Sequence, residues 1–409
     1  MRLAALTVLL LALMSSVLPA GADPVQAPPA PRVVVAPIDS GINPYHSFFQ
    51  VAESSVTQDV LDEFGIDSSH VLTLSGTYEE DGEAFWTSLK EGELYHFTGT
   101  NIIAVNLDGR DRKILPDGSN HGVGVAGSVV RGNPEAIVLF VAGSGADAED
   151  WAFDQPGIDI VTTSYGFATA VPLPAVSSSY TGVVEGGKAH FGASPNDPSL
   201  ASVDGTSGPW WVVSMAGYAE GDDEGKELLS GTSPEFVADF TQDLPYCATC
   251  TTELSSPSGT SFATPLAAGV ASAVLLEARQ RTGHVGGITA EGLMVDADGI
   301  QLDTWDLRRS LQEGAVLPAS SGVGFGTLPT LPVAPYAVVG WGAITPDPEL
   351  DVIGRSVAWL MGDEDAPDAK GGDTCAFMNA HFDARLYSWN LNPASDSFGD
   401  SDGAGYIRC

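Results

Sequence analysis

The stretch SSPSGTSFATPLAAGVASAVLL, residues 255–276, joins a cluster of small hydroxyl residues to a long apolar run. The run from Leu266 to Leu276 is apolar on nearly every side, which predicts a helix buried in the protein core. Pro265 is predicted in the first turn of that helix, because proline is favoured there and its missing N–H does no harm. Ser261 is therefore predicted at the amino end of a buried helix, where free N–H groups and the helix dipole favour an anion.

Continuous apolar runs of strand length recur along the chain. They are found at residues 33–35, 102–105, 137–141, 158–163 and 212–215. Such runs, without alternation, are typical of strands buried on both faces of a parallel sheet. Helical or glycine-rich stretches separate several of them. The predicted fold class is therefore α/β, a layered domain with a central, mostly parallel sheet flanked by helices.

The two ends of the chain differ in composition from its middle. Residues 1–22 combine Arg2, an apolar run and a small-residue A-x-A site, which predicts a signal peptide and an exported, extracellular protein. No later window predicts a transmembrane helix, so we expect no membrane anchor. The main domain is predicted at 23–362, with an insertion at about 53–115. Residues 363–409, rich in Asp, Gly and Ala, are predicted to form a small cysteine-containing extension.

The chain is strongly acidic, with a formal net charge of -36 at pH 7. Such a surface repels nucleic acid and anionic lipid, so neither is expected as a partner. Two interpretations of the charge stay open. It favours solubility, particularly in a salty medium that screens the repulsion, or it steers cationic substrates.

Four cysteines are present, at Cys247, Cys250, Cys375 and Cys409. In an exported chain we predict two disulfides, the local C-x-x-C pair and Cys375 with Cys409. The C-x-x-C pair is also compatible with a redox pair or half of a zinc site. The sequence offers no second C-x-x-C and no histidine nearby in the chain for a zinc site.

Two polar residues, Asp39 and His121, are candidates for a reactive site. Asp39 follows a predicted buried strand, and side chains at the carboxyl ends of such strands converge on a shared crevice. The alternative is a turn or cap formed by Asp39 with Ser40 and Gly41. His121 opens the stretch HGVGVAGSVV, whose glycines predict tight packing against another element. Its alternative is a solvated loop histidine.

Aspartate, histidine and serine in this chain order are one of the known orders of the Ser-His-Asp triad. The sequence also resembles the subtilisin-like serine peptidases, or subtilases. Four stretches between about residues 33 and 360 carry the resemblance: IDSGINPYH, which includes His46, NHGVGVAG, SGTSFATPLAAGVAS and VVGWGAITPD. The resemblance implies that Ser261 attacks the peptide carbonyl to form an acyl-enzyme, His121 acts as general base and Asp39 orients His121.

Two further stretches resemble substrate-binding parts of this family. The stretch IDIVTTSYG implies that the backbone of Ser164, Tyr165 and Gly166 pairs with the peptide substrate. The stretch FGASPNDP implies that Asn196 donates to the oxyanion hole. The sequence departs from the family pattern in a few places. Val123 and Gly124 replace the usual Thr and His, and Pro195 replaces a glycine before the asparagine.

The expected protein is a secreted serine endopeptidase, a monomer that acts on protein or peptide substrates. Its chemistry is expected to need no cofactor. The family resemblance adds calcium as a structural ion with unknown ligands, since the acids Asp396, Asp400 and Asp402 do not form a recognised calcium loop. The alternative is a non-catalytic secreted peptide-binding protein on the same scaffold. Two features favour this alternative. Val123 and Gly124 depart from the family pattern next to His121, and the short segment 23–38 leaves no room for a folding propeptide.

Overall fold

The computed structural model describes residues 29–109, 114–166, 174–196, 206–218, 228–229, 234–286, 293–295, 301–316 and 339–367. Contacts divide the chain into two units, Met1–Ala30 and Pro31–Cys409. Every element below belongs to the second unit. The predicted signal peptide, the predicted Cys375–Cys409 disulfide and the acids of 396–402 lie outside the described residues.

A single large sheet forms the centre of the described part of the chain. Its ten strands are β1 Val34–Asp39, β2 Val71–Leu72, β3 Leu94–Phe97, β4 Ile102–Asn106, β5 Ile137–Ala142, β6 Ile160–Thr163, β7 Ala189–Ala193, β8 Val213–Tyr218, β9 Leu228–Leu229 and β10 Phe236–Asp239. Across the sheet the order is β10, β8, β7, β6, β1, β5, β4, β3, β2, and β9 pairs with β8. Only the β3–β4 and β8–β9 pairs within this sheet are antiparallel. The prediction of a mostly parallel sheet is confirmed.

The central strands show why the apolar runs predicted this sheet. Every residue of β1, β4, β5 and β6 is buried. Side chains on both faces of these strands pack into the core, so the sequence carries no polar alternation there. Shorter antiparallel pairs join β11 Leu244–Pro245 to β12 Leu254–Ser255 and β13 Met294–Val295 to β14 Gln301–Leu302.

Helices flank the sheet, as predicted. They are α1 Gln58–Glu63, α2 Tyr78–Asp81, α3 Glu83–Ser88, α4 His121–Gly132, α5 Ala146–Asp154, α6 Pro174–Tyr180, α7 Thr260–Thr282, α8 Thr304–Gly314 and α9 Val352–Met361. A 3-10 turn, Ser47–Phe49, follows β1, and a π-helical turn, Thr181–Glu185, continues α6. Helix α7 packs on α4, α9 and the strands β1, β6, β7, β8 and β10.

Helix α7 is the buried helix expected from the opening stretch. It is also long and apolar enough to cross a membrane by length and composition, although we expected no such segment. In this structure 83% of its apolar window is buried inside the protein. Its hydrophobicity is explained by its contacts with the sheet and with α4.

Helices α4 and α7 approach each other through glycines. A Cβ on Gly132 would lie 2.6 Å from the carbonyl oxygen of Leu266, and one on Gly269 would lie 2.3 Å from that of Val129. Only glycine allows such close approach without a shift of the backbone. This contact sets the distance between the helix that begins with His121 and the helix that carries Ser261.

The described part of the segment 53–115, which was predicted as an insertion, lies along one side of the sheet. It contains α1, α2 and α3 and supplies β2, β3 and β4, which end the sheet on that side. The domain boundaries at 22/23 and 362/363 stay predictions.

Candidate active site

The residues predicted for the site gather at the carboxyl ends of adjacent strands. Asp39 is the last residue of β1, Ser164 directly follows β6, and Asn196 follows β7 by three residues. These three strands are parallel neighbours, so their ends lie at one edge of the sheet. Helix α4 follows β4 and begins with His121. Topology therefore brings together residues that are distant in sequence.

Asp39 and His121 form a close pair. The Nδ1 atom of His121 lies 2.8 Å from Oδ2 and 3.0 Å from Oδ1 of Asp39. The Asp39 side chain is 6% exposed and that of His121 29%. When Nδ1 donates to the carboxylate, the neutral ring keeps its lone pair on Nε2. This is the tautomer that a general base needs.

Asp39 also controls the protonation of the imidazole. Burial lowers the pKa of His121, but the hydrogen bond that the ring donates to Asp39 and the negative charge of Asp39 outweigh burial, so the pKa lies above the ordinary value of 6.5. The neutral, basic form of His121 is therefore populated only as the pH rises through this raised value.

The turn after Asp39 is tied to the start of α4. The Ser40 backbone N–H donates to Oδ1 of Asp39 at 2.6 Å, and the Ser40 hydroxyl accepts the N–H of Gly122 at 3.0 Å. Gly41 has a φ of 139°, and a Cβ there would lie 2.7 Å from the backbone nitrogen of Pro116. Only glycine fits this position. The carboxylate and the imidazole are consequently held by the same short turn.

Ser261 is the second residue of α7, which begins at Thr260. The prediction that Pro265 lies in the first turn was wrong, because the helix begins earlier and Pro265 falls in its second turn. There its missing N–H leaves the Ser261 carbonyl without the usual helical donor. The hydroxyl of Ser164 replaces that donor at 2.7 Å. The proline thus makes the backbone of Ser261 available to the end of β6.

The hydroxyl of Ser261 points to the same partner. It donates to the Ser164 carbonyl at 3.1 Å, and within the described residues no hydrogen bond joins it to His121. The imidazole lies nearby, since its centroid is 5.4 Å from the ring of the adjacent Phe262. To reach His121 the hydroxyl must leave Ser164 by rotation about its Cα–Cβ bond. Catalytic hydrogen bonds are often absent or long before substrate binds.

Asn196 lies next to the start of α7. Its side-chain oxygen accepts the Thr260 backbone N–H at 2.9 Å, and the Thr260 hydroxyl lies 2.9 Å from the same oxygen. A reversed amide would place NH2 against an N–H donor, so this contact sets the orientation of the amide. The NH2 group is then turned away from Thr260, and no acceptor among the described residues binds it. Pro195, which replaces the family glycine, does not prevent this arrangement.

Ser164 and Tyr165 form one wall of a cleft. The Tyr165 carbonyl accepts the Thr206 hydroxyl at 2.8 Å, while the Ser164 carbonyl faces the Ser261 hydroxyl. A cavity of about 250 Å³ adjoins this wall; it is lined by Asp39, Ser40, Ser119, His121, Gly143, Ser144, Ser164 and Tyr165.

Glu149 is a contributor to this wall that sequence reasoning missed. Its buried carboxylate accepts the Tyr165 hydroxyl at 2.8 Å. Burial first, and then the charge of Glu149, raise the pKa of Tyr165 well above its usual value, so the hydroxyl stays protonated. The pair fixes the tyrosine ring against α5. No signal distinguishes Glu149 from the other acids of the stretch ADAEDWAFD.

The predicted local disulfide joins Cys247 to Cys250. We expected no histidine near this pair, but the fold brings His46 to it, so that the three residues form a group of potential metal-binding side chains. The imidazole is already engaged: Nδ1 accepts the Phe48 N–H at 3.1 Å, and Nε2 donates to the Glu253 carbonyl at 3.0 Å. Nitrogen and sulfur donors do not suit calcium, which prefers oxygen ligands.

The parallel sheet, the Asp–His pair at its edge and the serine at the start of a buried helix are the arrangement of an α/β serine peptidase. The profile of the Subtilase family matches residues 31–298, more than half of the chain. The chain therefore belongs to the subtilase family, as its four motifs indicated, and has the protease fold of that family.

Several solved structures are similar to the chain at low sequence identity. The chain is similar to the prenylagaramide maturation protease PagA, with 15% identity and a TM-score of 0.46 over 82% of this chain and 95% of that chain. It is similar to a lanthipeptide protease, with 15% identity and a TM-score of 0.46 over 80% and 89%. A third is fervidolysin from Fervidobacterium pennivorans, a keratinolytic enzyme related to subtilisin, with 15% identity and a TM-score of 0.40 over 79% and 42%. No curated protein matches the chain significantly.

Proposed function

We propose that the protein is a secreted serine endopeptidase that cleaves peptide bonds through an acyl-enzyme on Ser261. The observation that carries the proposal is the 2.8 Å contact between His121 and Asp39 at the sheet edge where α7 presents Ser261. Membership of the subtilase family supports protein or peptide substrates.

The proposed reaction begins when a peptide pairs with Ser164 and Gly166. A peptide N–H that binds the Ser164 carbonyl competes with the Ser261 hydroxyl for this acceptor and frees it to turn to His121. His121 Nε2 then takes the hydroxyl proton while the serine oxygen bonds to the peptide carbonyl carbon. Asp39 stabilises the imidazolium that forms.

The negative oxygen formed by this attack needs donors. The Ser261 N–H has no acceptor within its helix, because it belongs to the first turn of α7. We assign it to the oxyanion together with the NH2 group of Asn196. Collapse of the intermediate breaks the peptide C–N bond, and His121 gives its proton to the leaving amine. Water then hydrolyses the ester with the same histidine as base.

The remaining features of the proposal come from the sequence. The predicted signal peptide supports action outside the cell, and the acidic surface argues against nucleic acid or anionic membranes as partners. We propose a monomer without a membrane anchor. The proposed reaction uses side chains and backbone groups of this chain and requires no cofactor.

Covalent labelling tests the proposal. A fluorophosphonate should label the folded wild type, and peptide mass mapping should place the adduct on Ser261. Ser261→Ala should abolish both labelling and peptide turnover. The matched control Ser177→Ala, an exposed serine on α6, should leave both unchanged. Folded wild type that neither labels nor cleaves peptides would overturn the proposal.

One observation favours a second function, a non-catalytic peptide-binding protein on the same scaffold. The Ser261 hydroxyl is bound to Ser164 rather than to His121. If this is the permanent state, Ser261→Ala should bind peptides as tightly as wild type, and neither protein should cleave them. A large difference in turnover between the two proteins excludes this alternative.

A further inference from the structure

We propose that the Cys247–Cys250 disulfide is a thiol-exchange site that controls catalysis, because the loop it closes supports the turn of Asp39 and the residue directly before the loop, Tyr246, supports the neighbour of Ser261. The inference rests on the proposed peptidase function. In this inference the oxidised loop positions the catalytic groups. A dithiol reductant opens the loop and switches the enzyme to a poorly active form.

The first support runs through Asn43. This side chain is fully buried, and its amide donates to the Cys250 carbonyl at 2.8 Å and to the Cys247 carbonyl at 3.2 Å. Both acceptors belong to the disulfide loop. Asn43 lies four residues after Asp39, and the tight turn at Gly41 connects them. The turn that carries the carboxylate therefore rests on the two carbonyl groups at the ends of the loop.

A second set of bonds joins the same two segments. The Ser47 N–H donates to the Thr251 carbonyl at 2.7 Å, and His46 donates to the Glu253 carbonyl at 3.0 Å. Thus residues 43–47 are bonded at several points to residues 247–253. Opening the disulfide loosens one side of this contact along its length.

The third support runs through Tyr246, which precedes the disulfide. Its ring packs edge-on against Phe262 with centroids 6.0 Å apart, and it occupies the space beside Gly124 on α4. Phe262 in turn contacts the His121 ring. The residue next to Cys247 thus supports the imidazole and the start of α7 together. Gly124, one of the departures from the family pattern, makes room for this ring.

The disulfide is open to exchange, since both cysteines are partly exposed. A dithiol reductant attacks one sulfur as its thiolate and forms a mixed disulfide, releasing the other cysteine as a thiol. The second thiol of the reductant then displaces the remaining cysteine. Two electrons and two protons pass from the dithiol to the protein, which ends with two thiols while the reductant becomes a cyclic disulfide.

The expected consequence is a loss of positioning. A small displacement of a catalytic group lowers the rate by about a hundredfold. We therefore expect reduction to lower kcat/KM, and the rate of fluorophosphonate labelling at Ser261, by about tenfold to a hundredfold. A chain made in a reducing compartment would gain full activity only when the disulfide forms, as it does in oxidising surroundings outside the cell.

The test uses the full-length protein and a dithiol such as dithiothreitol. Labelling and kcat/KM are measured for the oxidised protein, after reduction, and after reoxidation, with near-ultraviolet circular dichroism to monitor the fold. Activity should fall on reduction and return on reoxidation. The near-ultraviolet spectrum should stay largely unchanged throughout. The Cys247→Ala/Cys250→Ala variant should have the low activity of the reduced protein and should not respond to dithiol.

A matched control separates this disulfide from the other cysteines. The Cys375→Ala/Cys409→Ala variant should respond to dithiol as the wild type does. A positioning effect should also move the pH profile of the reduced protein, because a looser contact with Asp39 lowers the pKa of His121 and shifts the acid limb to lower pH. A purely structural effect leaves that limb in place.

The outcomes distinguish this inference from the proposed function. Oxidised protein that does not label at Ser261 contradicts the peptidase proposal itself. Oxidised and reduced proteins that label at equal rates overturn only the control by the disulfide. The same holds if activity is lost together with the tertiary spectrum, or if the Cys375→Ala/Cys409→Ala variant no longer responds. Should the Cys247→Ala/Cys250→Ala variant fail to fold, the wild-type reduction and reoxidation series decides.

Discussion

At the scale of single residues, the contact between His121 and Asp39 determines how the candidate site responds to pH. The carboxylate holds the proton on Nδ1 and raises the pKa of the ring, against the effect of burial. A general base must be neutral, so activity is lost as the pH falls through this pKa. Asp39 therefore sets both the tautomer of His121 and the pH range in which His121 acts as a base.

Asp39→Asn should change both the rate and its pH dependence. Without the negative charge, burial dominates and the pKa of His121 falls, so the acid limb of kcat/KM should move to lower pH. The plateau should fall by about 10³-fold to 10⁴-fold, because the ring loses its tautomer and orientation. A pH series between about 5 and 8 measures both. The control Asp150→Asn, at an exposed position, should change neither the plateau nor the acid limb. An acid limb that stays in place for Asp39→Asn contradicts the pairing of His121 with Asp39.

Asn196→Ala tests the donor proposed for the oxyanion. The variant loses the amide NH2 group and also the side-chain oxygen that accepts the Thr260 N–H. The rate constant kcat should fall by about 10²-fold to 10³-fold while KM changes little. Steady-state kinetics on one peptide substrate measures the split. Pro195→Gly, which restores the family residue next to it, should retain kcat within a small factor. Equal kcat in wild type and Asn196→Ala would remove Asn196 from the site.

At the scale of elements, two helices hold the histidine and the serine at a set distance. The glycines of HGVGVAGSVV predicted close packing, and the structure shows what they approach. A Cβ on Gly122 would lie 2.5 Å from the Gly41 carbonyl, and one on Gly127 would lie 2.7 Å from the Pro245 ring. The sequence pattern identified the need for small residues. It did not identify the partners, because these come from segments that are remote in the chain.

Gly132→Ala should weaken the contact between α4 and α7. Its methyl group would lie 2.6 Å from the Leu266 carbonyl oxygen and 2.8 Å from the Gly269 Cα atom, so the helices must move apart. We expect the free energy of unfolding to fall by about 1 to 3 kcal/mol, as in other overpacked cores. Urea unfolding followed by circular dichroism measures this.

Ser128→Ala is the matched control for that variant. It lies on the same helix, and its buried hydroxyl has no hydrogen-bond partner among the described residues. Removing an unpaired hydroxyl should leave stability nearly unchanged or slightly raise it. If both variants were equally stable, the helices would have room that the structure does not show.

The elements also show where sequence patterns succeed. The strands β1, β4, β5, β6 and β8 were predicted from apolar runs, because strands buried on both faces contain little else. Strand β7, AHFGA, was missed since it contains His190 and Gly192 in place of branched apolar residues. In the fold His190 is buried between the hydroxyls of Thr163 and Ser179, at 2.9 and 2.7 Å. Partners from other elements make this polar residue acceptable in the core.

At the scale of the whole molecule, the formal net charge of -36 opposes the compact state. Like charges repel each other more strongly when the chain is folded, because they lie closer together. Several buried ion pairs act in the opposite direction locally. One joins Arg279 on α7 to Asp159, with N–O distances of 2.6 and 3.0 Å. Asp159 also accepts the Val34 N–H at the start of β1.

Salt should therefore stabilise the fold. Raising NaCl from about 0.05 M to about 1 M shortens the range of electrostatic repulsion to roughly 3 Å, so Tm should rise. Thermal unfolding by circular dichroism measures the change. Near pH 4 many carboxylates become protonated, and the effect of salt should shrink there. A Tm that does not change with salt at neutral pH would show that repulsion is not a significant term.

The sequence by itself determined the fold class, the family and the identity of the candidate catalytic residues. Buried parallel strands and a buried helix leave local apolar patterns, and the motifs around Asp39, His121 and Ser261 are short contiguous stretches. Only the tertiary structure decided which groups meet. It paired Ser261 with Ser164, placed Glu149 behind Tyr165 and brought His46 to the C-x-x-C loop. These contacts join segments far apart in the chain, and no local pattern records a contact whose geometry is set by the packing of strands and helices.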